Sequence, residues 1–384
     1  MTEAVQSLTE LIARASSRRF LEAPPPEDLG LAEPLAFPFL ALVGQPEMKL
    51  ALLLAMINPN IGGVLLVGPR GTGKTTAVRA LIDLLPDVER SRCSYGCLPE
   101  DIAAGGVDAV CPDCARRFAS GEPLTFPDRV RLIELPLNAR LENVVGGLDE
   151  RAAVHNRLRL NRGILARSDR NLLHVDEVNL LSDEIVDAIL DAAAQGTYTV
   201  QRGAIAATYR ARFVLIGSMN PEEGRLRPQI MDRFGLRVAV TGLRRQSDRL
   251  EAYRRSVAYR NSPRQVISAY GDATEQARAE VMAARAALPN AALSPQAERF
   301  GLGVIERLGI DSLRAEITLF EGARAHAVAD GRTVATPADV RAVAPMALRL
   351  RRSIRIRGDT IRGSAAEETE LRRILRRRST PRAG

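Results

Sequence analysis

The octapeptide GPRGTGKT at residues 68–75 has the composition and spacing of a phosphate-binding loop. It matches G-x-x-x-x-G-K-[ST], in which glycines let backbone N–H groups face a phosphate and the lysine reaches the β- and γ-phosphates. The chain has 54 Lys and Arg residues, but only Lys49 and Lys74 are lysines, so Lys74 stands where a compact ammonium is favoured over a guanidinium. The predicted nucleotide-binding residues are Gly68, Pro69, Arg70, Gly71, Thr72, Gly73, Lys74, Thr75 and Thr76.

A pair of carboxylates follows the apolar run NLLHV, which ends at Val175. Asp176 is expected to hold Mg²⁺ together with the hydroxyl of Thr75, and Glu177 to orient or deprotonate the attacking water. His174 lies inside the apolar run, which favours a core histidine with a hydrogen-bond partner over a catalytic one. The motifs therefore predict hydrolysis of ATP with Mg²⁺ as cofactor.

Three further polar residues are catalytic candidates. Asn220 ends the apolar run FVLIGSM, where its amide could fix the attacking water, although a residue before Pro221 is equally typical of a turn. Arg233, in MDRFG, is a candidate arginine finger for the site of a neighbouring subunit. Arg314, in DSLRAE, begins a later helix and is a candidate reporter of the nucleotide state.

All four cysteines fall in one segment, CSYGCLPEDIAAGGVDAVCPDC. Cys93, Cys97, Cys111 and Cys114 have the paired spacing of a four-thiolate metal site, which leaves no open position for chemistry. Structural Zn²⁺ is favoured over an iron–sulfur cluster because nothing nearby indicates a redox partner, and reduced thiols without a metal are the third interpretation. The segment lies between the helix after the phosphate loop and the next strand, so we expect a clip at the rim of the sheet.

The apolar pattern places these residues on an α/β fold. Strands are predicted in GGVLLVG, RVRLIELPL, NLLHVDEVNL and ARFVLIGSMN, with helices between them, as in a parallel sheet with crossover helices. After about residue 245 the apolar pattern is helical throughout, which predicts a small helical bundle. The predicted organisation is a short helix and Pro-rich linker, an ATPase domain that contains the cysteine insert, a helical lid and a basic tail, at 1–36, 37–245, 246–352 and 353–384.

The positive charge is concentrated at the C-terminus. Residues 349–384 hold twelve Arg against four acidic residues, a difference of +8 that equals the formal net charge of the 384-residue chain. The rest is neutral on balance and lacks interleaved aromatic and basic residues, which argues against a nucleic-acid motor. No apolar run reaches the length of a membrane span, and the N-terminus has no signal-peptide core, so we expect a cytoplasmic protein without membrane association.

The motifs together resemble the AAA+ ATPases and, more closely, the family of magnesium-chelatase I subunits. The resemblance runs from about Phe37 to Arg352 and includes ENVVGGLDE, RGILARSDRNLLHVDEVNLL and FVLIGSMNPEEGRLRPQIMDRFGL. It implies an AAA+ P-loop αβα sandwich followed by a small helical lid domain. It also implies a helical insertion around residues 146–170 and a hairpin around Gly203, where alternation in TYTVQ and ATYRARF agrees with paired strands.

The resemblance gives each candidate a role. The implied roles are Walker A for Lys74 and Thr75, Walker B for Asp176 and Glu177, sensor 1 for Asn220, arginine finger for Arg233 and sensor 2 for Arg314.

The resemblance further implies a motor that drives Mg²⁺ insertion into protoporphyrin IX in chlorophyll and bacteriochlorophyll biosynthesis. Such motors form homo-oligomeric rings, commonly hexameric, which stack with a D subunit and act on a porphyrin-binding H subunit. Alternatives on the same fold are the motor of a cobaltochelatase-like complex and a MoxR-like chaperone ATPase. The segments VGGLDE and NPEEGRLRPQIMDRFGL favour the chelatase family over the MoxR-like alternative.

Overall fold

The computed structural model describes residues 35–85, 87–148, 160–202, 205–224, 226–351 and 369–375. The predicted N-terminal helix lies outside the described residues. From Ala36 onward, the described residues belong to one compact unit.

The structure alternates strands and helices up to about residue 240 and is mainly helical afterwards. The strands are β1 Val64–Val67, β2 Asp87–Ser91, β3 Thr125–Arg129, β4 Leu132–Glu134, β5 Gly146–Leu148, β6 Leu160–Arg162, β7 Leu172–Val175, β8 Thr197–Arg202, β9 Ile205–Arg210, β10 Val214–Met219, β11 Leu236–Ala239, β12 Ala292–Leu293 and β13 Val334–Ala335. The helices are α1 Pro46–Ile57, α2 Lys74–Arg79, α3 Pro99–Gly105, α4 Pro112–Ala119, α5 Leu141–Val145, α6 Ile164–Arg167, α7 Asp183–Gln195, α8 Pro228–Arg233, α9 Gln246–Asn261, α10 Pro263–Ala269, α11 Gly271–Ala287, α12 Pro295–Leu308, α13 Leu313–Ala329 and α14 Pro337–Leu348.

A five-stranded parallel sheet in the order β11-β1-β10-β7-β4 forms the centre of the fold. The four predicted strands correspond to β1, β4, β7 and β10, and the predicted α/β class is confirmed. In this order β10 lies between β1 and β7. Because the carboxyl ends of parallel strands share one edge, the phosphate loop, Asp176 and Asn220 all emerge at that edge.

Alternation of side chains gives the sheet two buried faces. One face packs with α1 and α2 and includes Val64, Leu66, Leu172 and Ile216. The other packs with α7 and includes Leu65, Leu173, Val175 and Leu215. Since helices cover both faces, the central strands are mostly apolar on both sides, with His174 and Ser218 as buried polar exceptions near their carboxyl ends.

The edge strand β11 is not evident from the sequence because Arg237 interrupts its apolar pattern. Arg237 is 0% exposed and donates to the carbonyls of Arg349 (2.9 Å) and Leu350 (2.6 Å). Asp232 lies 3.4 Å from Arg237 and 2.9 Å from Arg351. This carboxylate and the two carbonyls offset the cost of burying a guanidinium, and they tie the end of α14 to the edge of the sheet.

The helices predicted after residue 245 are present as α9, α11, α12, α13 and α14. The helix α10 and the two-residue parallel pair β12–β13 are additional. Residues 369–375, within the predicted basic tail, are helical, and their apolar side chains Leu371, Ile374 and Leu375 are buried. None of the described helices is long and apolar enough to cross a membrane.

Three antiparallel strand pairs accompany the central sheet. β2 and β3 flank the cysteine segment, and β8 and β9 form the predicted hairpin, whose turn residue Gly203 lies outside the described residues. In the insertion expected to be helical around 146–170, the described residues form the strand pair β5–β6 and the short helix α6. The helix predicted after the phosphate loop runs from Lys74 to Arg79 and continues as a 3₁₀ helix, Ala80–Leu84.

Asp339, at the start of α14, is a buried carboxylate with several donors. It accepts from an Arg332 N–H (2.7 Å) and from the backbone N–H of Thr336 (2.7 Å), and it lies 2.7 Å from Nδ1 of His326. Burial by itself favours the neutral acid, but these donors, led by Arg332, hold the pKa of Asp339 well below its usual range.

We predict that Asp339→Asn lowers the free energy of unfolding by about 3 kcal/mol at pH 7, because Arg332 and His326 lose a buried anionic partner. The stabilisation is present above the pKa of an unfolded aspartate, about 4, and is lost as the pH falls below that value. Urea unfolding at pH 7 and at pH 3 measures it. Asp330→Asn is the control: Asp330 binds the same Arg332 at 3.0 Å but is 58% exposed. Equal losses in the two variants would contradict the prediction.

Candidate functional site

The loop between β1 and α2 has the backbone conformation that its glycines permit. Gly71 and Gly73 have φ angles of 75° and 84°, in the left-handed region that other residues rarely adopt. Gly68 packs against the chain after β11, and a Cβ there would lie 2.0 Å from the carbonyl oxygen of Val240. Gly73 caps α2, which begins at Lys74, so the unpaired N–H groups of the first helical turn are available to an anion.

Lys74 folds back onto the loop. Its Nζ donates to the carbonyls of Gly68 (2.6 Å) and Pro69 (2.9 Å). Burial lowers the pKa of Lys74, and nearby carboxylates, of which Asp176 has the largest effect, oppose that shift. The ammonium therefore lies beside the loop that would hold a phosphate, with two carbonyls as its partners.

Asp176 lies across from the first turn of α2. Thr75 Oγ1 donates to Asp176 Oδ2 (3.3 Å), and Ser218 Oγ donates a short hydrogen bond to Asp176 Oδ1. Carboxylate, hydroxyl and water oxygens are the ligands that Mg²⁺ prefers. The donor set of Thr75 and Asp176 therefore fits Mg²⁺.

Glu223 links three of the predicted site residues. Arg70 donates to Glu177 (3.2 Å) and forms an ion pair with Glu223, while Asn220 Nδ2 donates to Glu223 (2.9 Å). Glu177 has a φ angle of 49°, a strained conformation of the kind that clusters at functional sites. Sequence reasoning misses Glu223, since one of two adjacent glutamates in a loop carries no distinguishing signal.

Two cavities adjoin the phosphate loop. The smaller has a volume of 270 Å³ and is lined by residues 70–76 with Asp176, Glu177 and Asn220. The larger, of 780 Å³, lies between the loop, the segment before β1 and helix α9, and its lining includes Val43, Met48 and Arg255. The sequence gives no sign of the larger cavity, because its walls come from segments far apart in the chain.

Arg233 and Arg314 lie elsewhere in the chain. Arg233 forms an ion pair with Asp191 on α7, and Arg314 lies 3.3 Å from Asp232. Neither of these arginines lines the cavities at the loop. The structure therefore brings together the phosphate loop, Asp176, Glu177 and Asn220, but not the two arginines.

Three side chains near Asp176, those of Ser218, Glu134 and Arg79, also escape sequence reasoning. His174 is 1% exposed, which confirms a core histidine, and its Nε2 lies 3.4 Å from Ser218 Oγ. Its Nδ1 lies 3.6 Å from Glu134 Oε1, and Glu134 accepts two N–H bonds from Arg79 at 2.9 and 3.1 Å. His174, followed by Arg79, lowers the pKa of Glu134 to about 2. The sequence contains one signal for this arrangement. Side chains two positions apart in a strand share a face, so His174 and Asp176 lie on the same face of the sheet.

The four cysteines converge at one point. The Sγ atoms of Cys93, Cys97, Cys111 and Cys114 all lie within 4.8 Å of one another. Tetrahedral Zn²⁺ with bonds of about 2.3 Å needs sulfurs about 3.8 Å apart, so the cluster fits a four-thiolate metal. The N–H groups of Cys97 and Cys111 donate to the sulfurs of Cys93 and Cys97, each at 3.3 Å. The Cys97 thiol lowers the pKa of Cys93 well below its usual range, and burial raises the pKa of Cys114.

The cysteine segment packs against the β8–β9 hairpin. The rings of Tyr95 and Tyr209 stack with their centroids 5.6 Å apart. Arg210 forms an ion pair with Asp101 (2.8 Å), and Arg212 donates to the Gly96 carbonyl (3.4 Å). None of the cysteines lines the cavities at the phosphate loop, so within the described residues the cluster is separate from the nucleotide site.

Known protein families match two parts of the chain. An AAA domain model matches residues 60–221, and an AAA lid domain model matches residues 305–373. A solved structure from Cytophaga hutchinsonii superimposes with a TM-score of 0.57 over 88% of this chain and 91% of that one. Its sequence identity is 19%, so it shows the fold alone.

Similarity to curated proteins is higher. The magnesium-chelatase 38 kDa subunit of Acidiphilium rubrum is 43% identical, over 82% of this chain and 90% of its own length. The magnesium-chelatase subunit ChlI homolog of Methanocaldococcus jannaschii is 41% identical, over 82% of this chain and 86% of its own length. The chain therefore belongs to the ChlI and 38 kDa subunit family of magnesium chelatase, within the AAA ATPases.

Proposed function

We propose that the chain is the ATP-hydrolysing motor subunit of magnesium chelatase, which drives insertion of Mg²⁺ into protoporphyrin IX. The observation that carries this proposal is a phosphate loop, Asp176, Glu177 and Asn220 around one cavity in a chain of this family. The names of both relatives favour magnesium chelatase over a cobaltochelatase-like motor or a MoxR-like chaperone ATPase.

In this proposal ATP occupies both cavities, with its triphosphate in the smaller one. Lys74 turns from the carbonyls of Gly68 and Pro69 to the β- and γ-phosphates. Thr75 and Asp176 hold Mg²⁺, which supplies neutralisation of charge on the phosphates when it is bound. The nucleoside lies in the larger cavity, between the segment before β1 and α9.

The proposed hydrolysis step depends on Glu177 and Asn220. Glu177 releases Arg70 and accepts a proton from the attacking water, which Asn220 orients. The water oxygen bonds to the γ-phosphorus as the bond from that phosphorus to the β–γ bridging oxygen breaks, so ADP leaves and phosphate is formed. Both side chains are linked to Glu223 before ATP binds, either directly or through Arg70. Binding of the γ-phosphate must therefore compete with this network.

The proposal includes a homo-oligomeric ring, of hexameric size as in the family it resembles, and D and H partner subunits. Both relatives are named as subunits of a larger enzyme. Arg233 is 31% exposed and pairs with Asp191 on its own chain, and in this proposal it leaves Asp191 to reach the site of a neighbour. Arg314 would act as sensor 2 in its own chain after leaving Asp232.

The proposal also includes structural Zn²⁺ at Cys93, Cys97, Cys111 and Cys114. Four converging sulfurs with N–H donors suit a closed tetrahedral site. The metal would hold the cysteine segment in place, and this segment contacts Tyr209 and Arg210 of the β8–β9 hairpin. The metal would therefore also stabilise the hairpin.

We predict that the wild-type chain, with D and H subunits, ATP, Mg²⁺ and protoporphyrin, yields fluorescent Mg-protoporphyrin. Lys74→Ala should abolish both product formation and ATP hydrolysis, because the γ-phosphate loses its cation. Arg116→Ala is the control and should leave both unchanged, since Arg116 is 76% exposed, pairs with Asp113 and lines neither cavity at the phosphate loop. A wild-type chain that is inactive here, but active with cobalt and a corrin, would reject the magnesium assignment.

We predict that Arg233→Ala binds ATP normally but loses hydrolysis by about 1000-fold, as expected for an arginine finger. Mixing Arg233→Ala with Lys74→Ala should restore part of the activity. At some interfaces of the mixed ring, the intact Lys74 of an Arg233→Ala chain meets the intact Arg233 of a Lys74→Ala chain. Arg227→Ala, at the start of the same helix and ion-paired with Asp183, should keep wild-type activity. Normal hydrolysis by Arg233→Ala would remove the finger assignment.

We predict one zinc per chain by atomic absorption, and none in Cys97→Ser. Loss of the metal should raise hydrogen exchange in residues 93–114 and in the β8–β9 hairpin, but change nucleotide affinity less than about twofold, because the two sites share no lining residue. Asp113→Asn is the control, since Asp113 is 75% exposed and pairs only with Arg116 among the ion pairs of the described residues. Visible absorption typical of iron–sulfur clusters would contradict zinc.

A further inference from the structure

We propose that Ser218 and His174 are positioning residues for Asp176. Both belong to a ring of side chains that begins and ends on α2. The ring comprises Thr75, Asp176, Ser218, His174, Glu134 and Arg79. The inference rests on the proposed role of Asp176 as the carboxylate that holds Mg²⁺.

The sheet places four residues of the ring on one face: three lie in strands, and Asp176 directly follows β7. His174 and Asp176 are two positions apart in the chain and therefore share a face. Gly217 pairs with Val175, which brings the next residues, Ser218 and Asp176, side by side. Glu134 pairs with His174 in the register of β4 and β7.

Helix α2 closes the ring. Thr75 and Arg79 are four residues apart and project from the same side of the helix. Thr75 reaches Asp176 at 3.3 Å, and Arg79 reaches Glu134 at 2.9 and 3.1 Å. The helix that begins at the phosphate loop is thus fixed to the tips of two strands.

The protons on Ser218 and Asp176 determine which of the two donates the hydrogen bond between them. A serine hydroxyl has one proton, and an ionised carboxylate has only acceptors, so Ser218 donates to Asp176. Ser218 Oγ is then left as an acceptor, and a hydrogen bond from His174 Nε2, 3.4 Å away, requires the ring proton to be on Nε2. His174 therefore orients the hydroxyl, and the hydroxyl holds one oxygen of Asp176 while the other faces Thr75.

Burial makes this arrangement costly to lose. Ser218 is 0% exposed and His174 is 1% exposed. Without the Ser218 hydroxyl, His174 Nε2 loses a partner that water cannot readily replace. Asp176 Oδ1 keeps the backbone N–H of Glu177 (3.1 Å) but loses the side-chain donor that fixes its orientation. Partners of this kind typically change metal affinity by 10- to 100-fold when they are removed.

The test is the affinity of the full chain for a non-hydrolysable ATP analogue, measured by calorimetry with Mg²⁺ and with EDTA. The ratio of the two dissociation constants reports the contribution of Mg²⁺. Ser218→Ala should reduce this ratio about tenfold and leave the EDTA value unchanged, and Ser218→Thr should restore it. His174→Leu should act like Ser218→Ala, whereas His174→Gln, which keeps a donor, should be closer to wild type.

Ser168→Ala is the matched control. Ser168 is also 0% exposed and donates one hydrogen bond, to the Ile164 carbonyl (2.8 Å), but lies outside the ring. Its loss should cost stability without changing the Mg²⁺ ratio. If Ser218→Ala lowers the melting temperature as Ser168→Ala does and keeps the wild-type ratio, Ser218 is only structural and the proposal is overturned.

Asp176→Asn separates this inference from the proposed function. A collapsed ratio in Asp176→Asn, with reduced ratios in Ser218→Ala and His174→Leu, supports both. A collapsed ratio in Asp176→Asn with wild-type ratios in the other two overturns the positioning role alone. A wild-type ratio in Asp176→Asn removes Asp176 from the Mg²⁺ site, and the inference fails together with that part of the proposed function.

Discussion

The hydrogen-bonded position of β10 between β1 and β7 is the constraint on which the nucleotide site depends. It places Ser218 next to Asp176 and brings Asn220 out between the phosphate loop and the carboxylate pair. If β10 lay at an edge of the sheet, β1 and β7 would be neighbours and Asn220 would emerge outside them. The ring from Thr75 to Arg79 then connects this sheet edge to the helix that starts at the phosphate loop.

Buried charged side chains join the helical region to the sheet. Arg237 and Arg351 have almost no exposure, and Asp232 accepts from both. An arginine with a guanidinium in the interior is stable only with such partners. Arg314 binds the remaining oxygen of Asp232, so a residue of α13 meets the residue that precedes Arg233. Any movement of α13 would therefore change the surroundings of Arg233 directly.

The cysteine segment is a local unit that is attached to the hairpin and not to the nucleotide site. A segment of this length is too short to form a large apolar core. Cys97, Cys114 and Leu124 form only a small buried cluster, so the four converging sulfurs are the centre of the segment. Tyr95 and Asp101 connect it to Tyr209 and Arg210. The hairpin continues into β10, so the cysteine cluster contacts one end of this stretch of chain and Asn220 of the nucleotide site follows its other end.

The sequence by itself determined the local chemistry. Glycine spacing specified the loop with positive φ at Gly71 and Gly73, apolar runs specified four of the five central strands, and cysteine spacing specified the cluster. Strand β11 was not predicted because the charged residue Arg237 interrupts its apolar pattern. The partners of Arg237, the carbonyls of Arg349 and Leu350, lie more than a hundred positions away in the sequence. The tertiary structure alone decided the strand order, the ring that makes His174 more than a core residue, the pairing of Glu223 with Arg70, and the separation of Arg233 from the loop of its own chain. These depend on register and packing between distant segments, which no local pattern encodes.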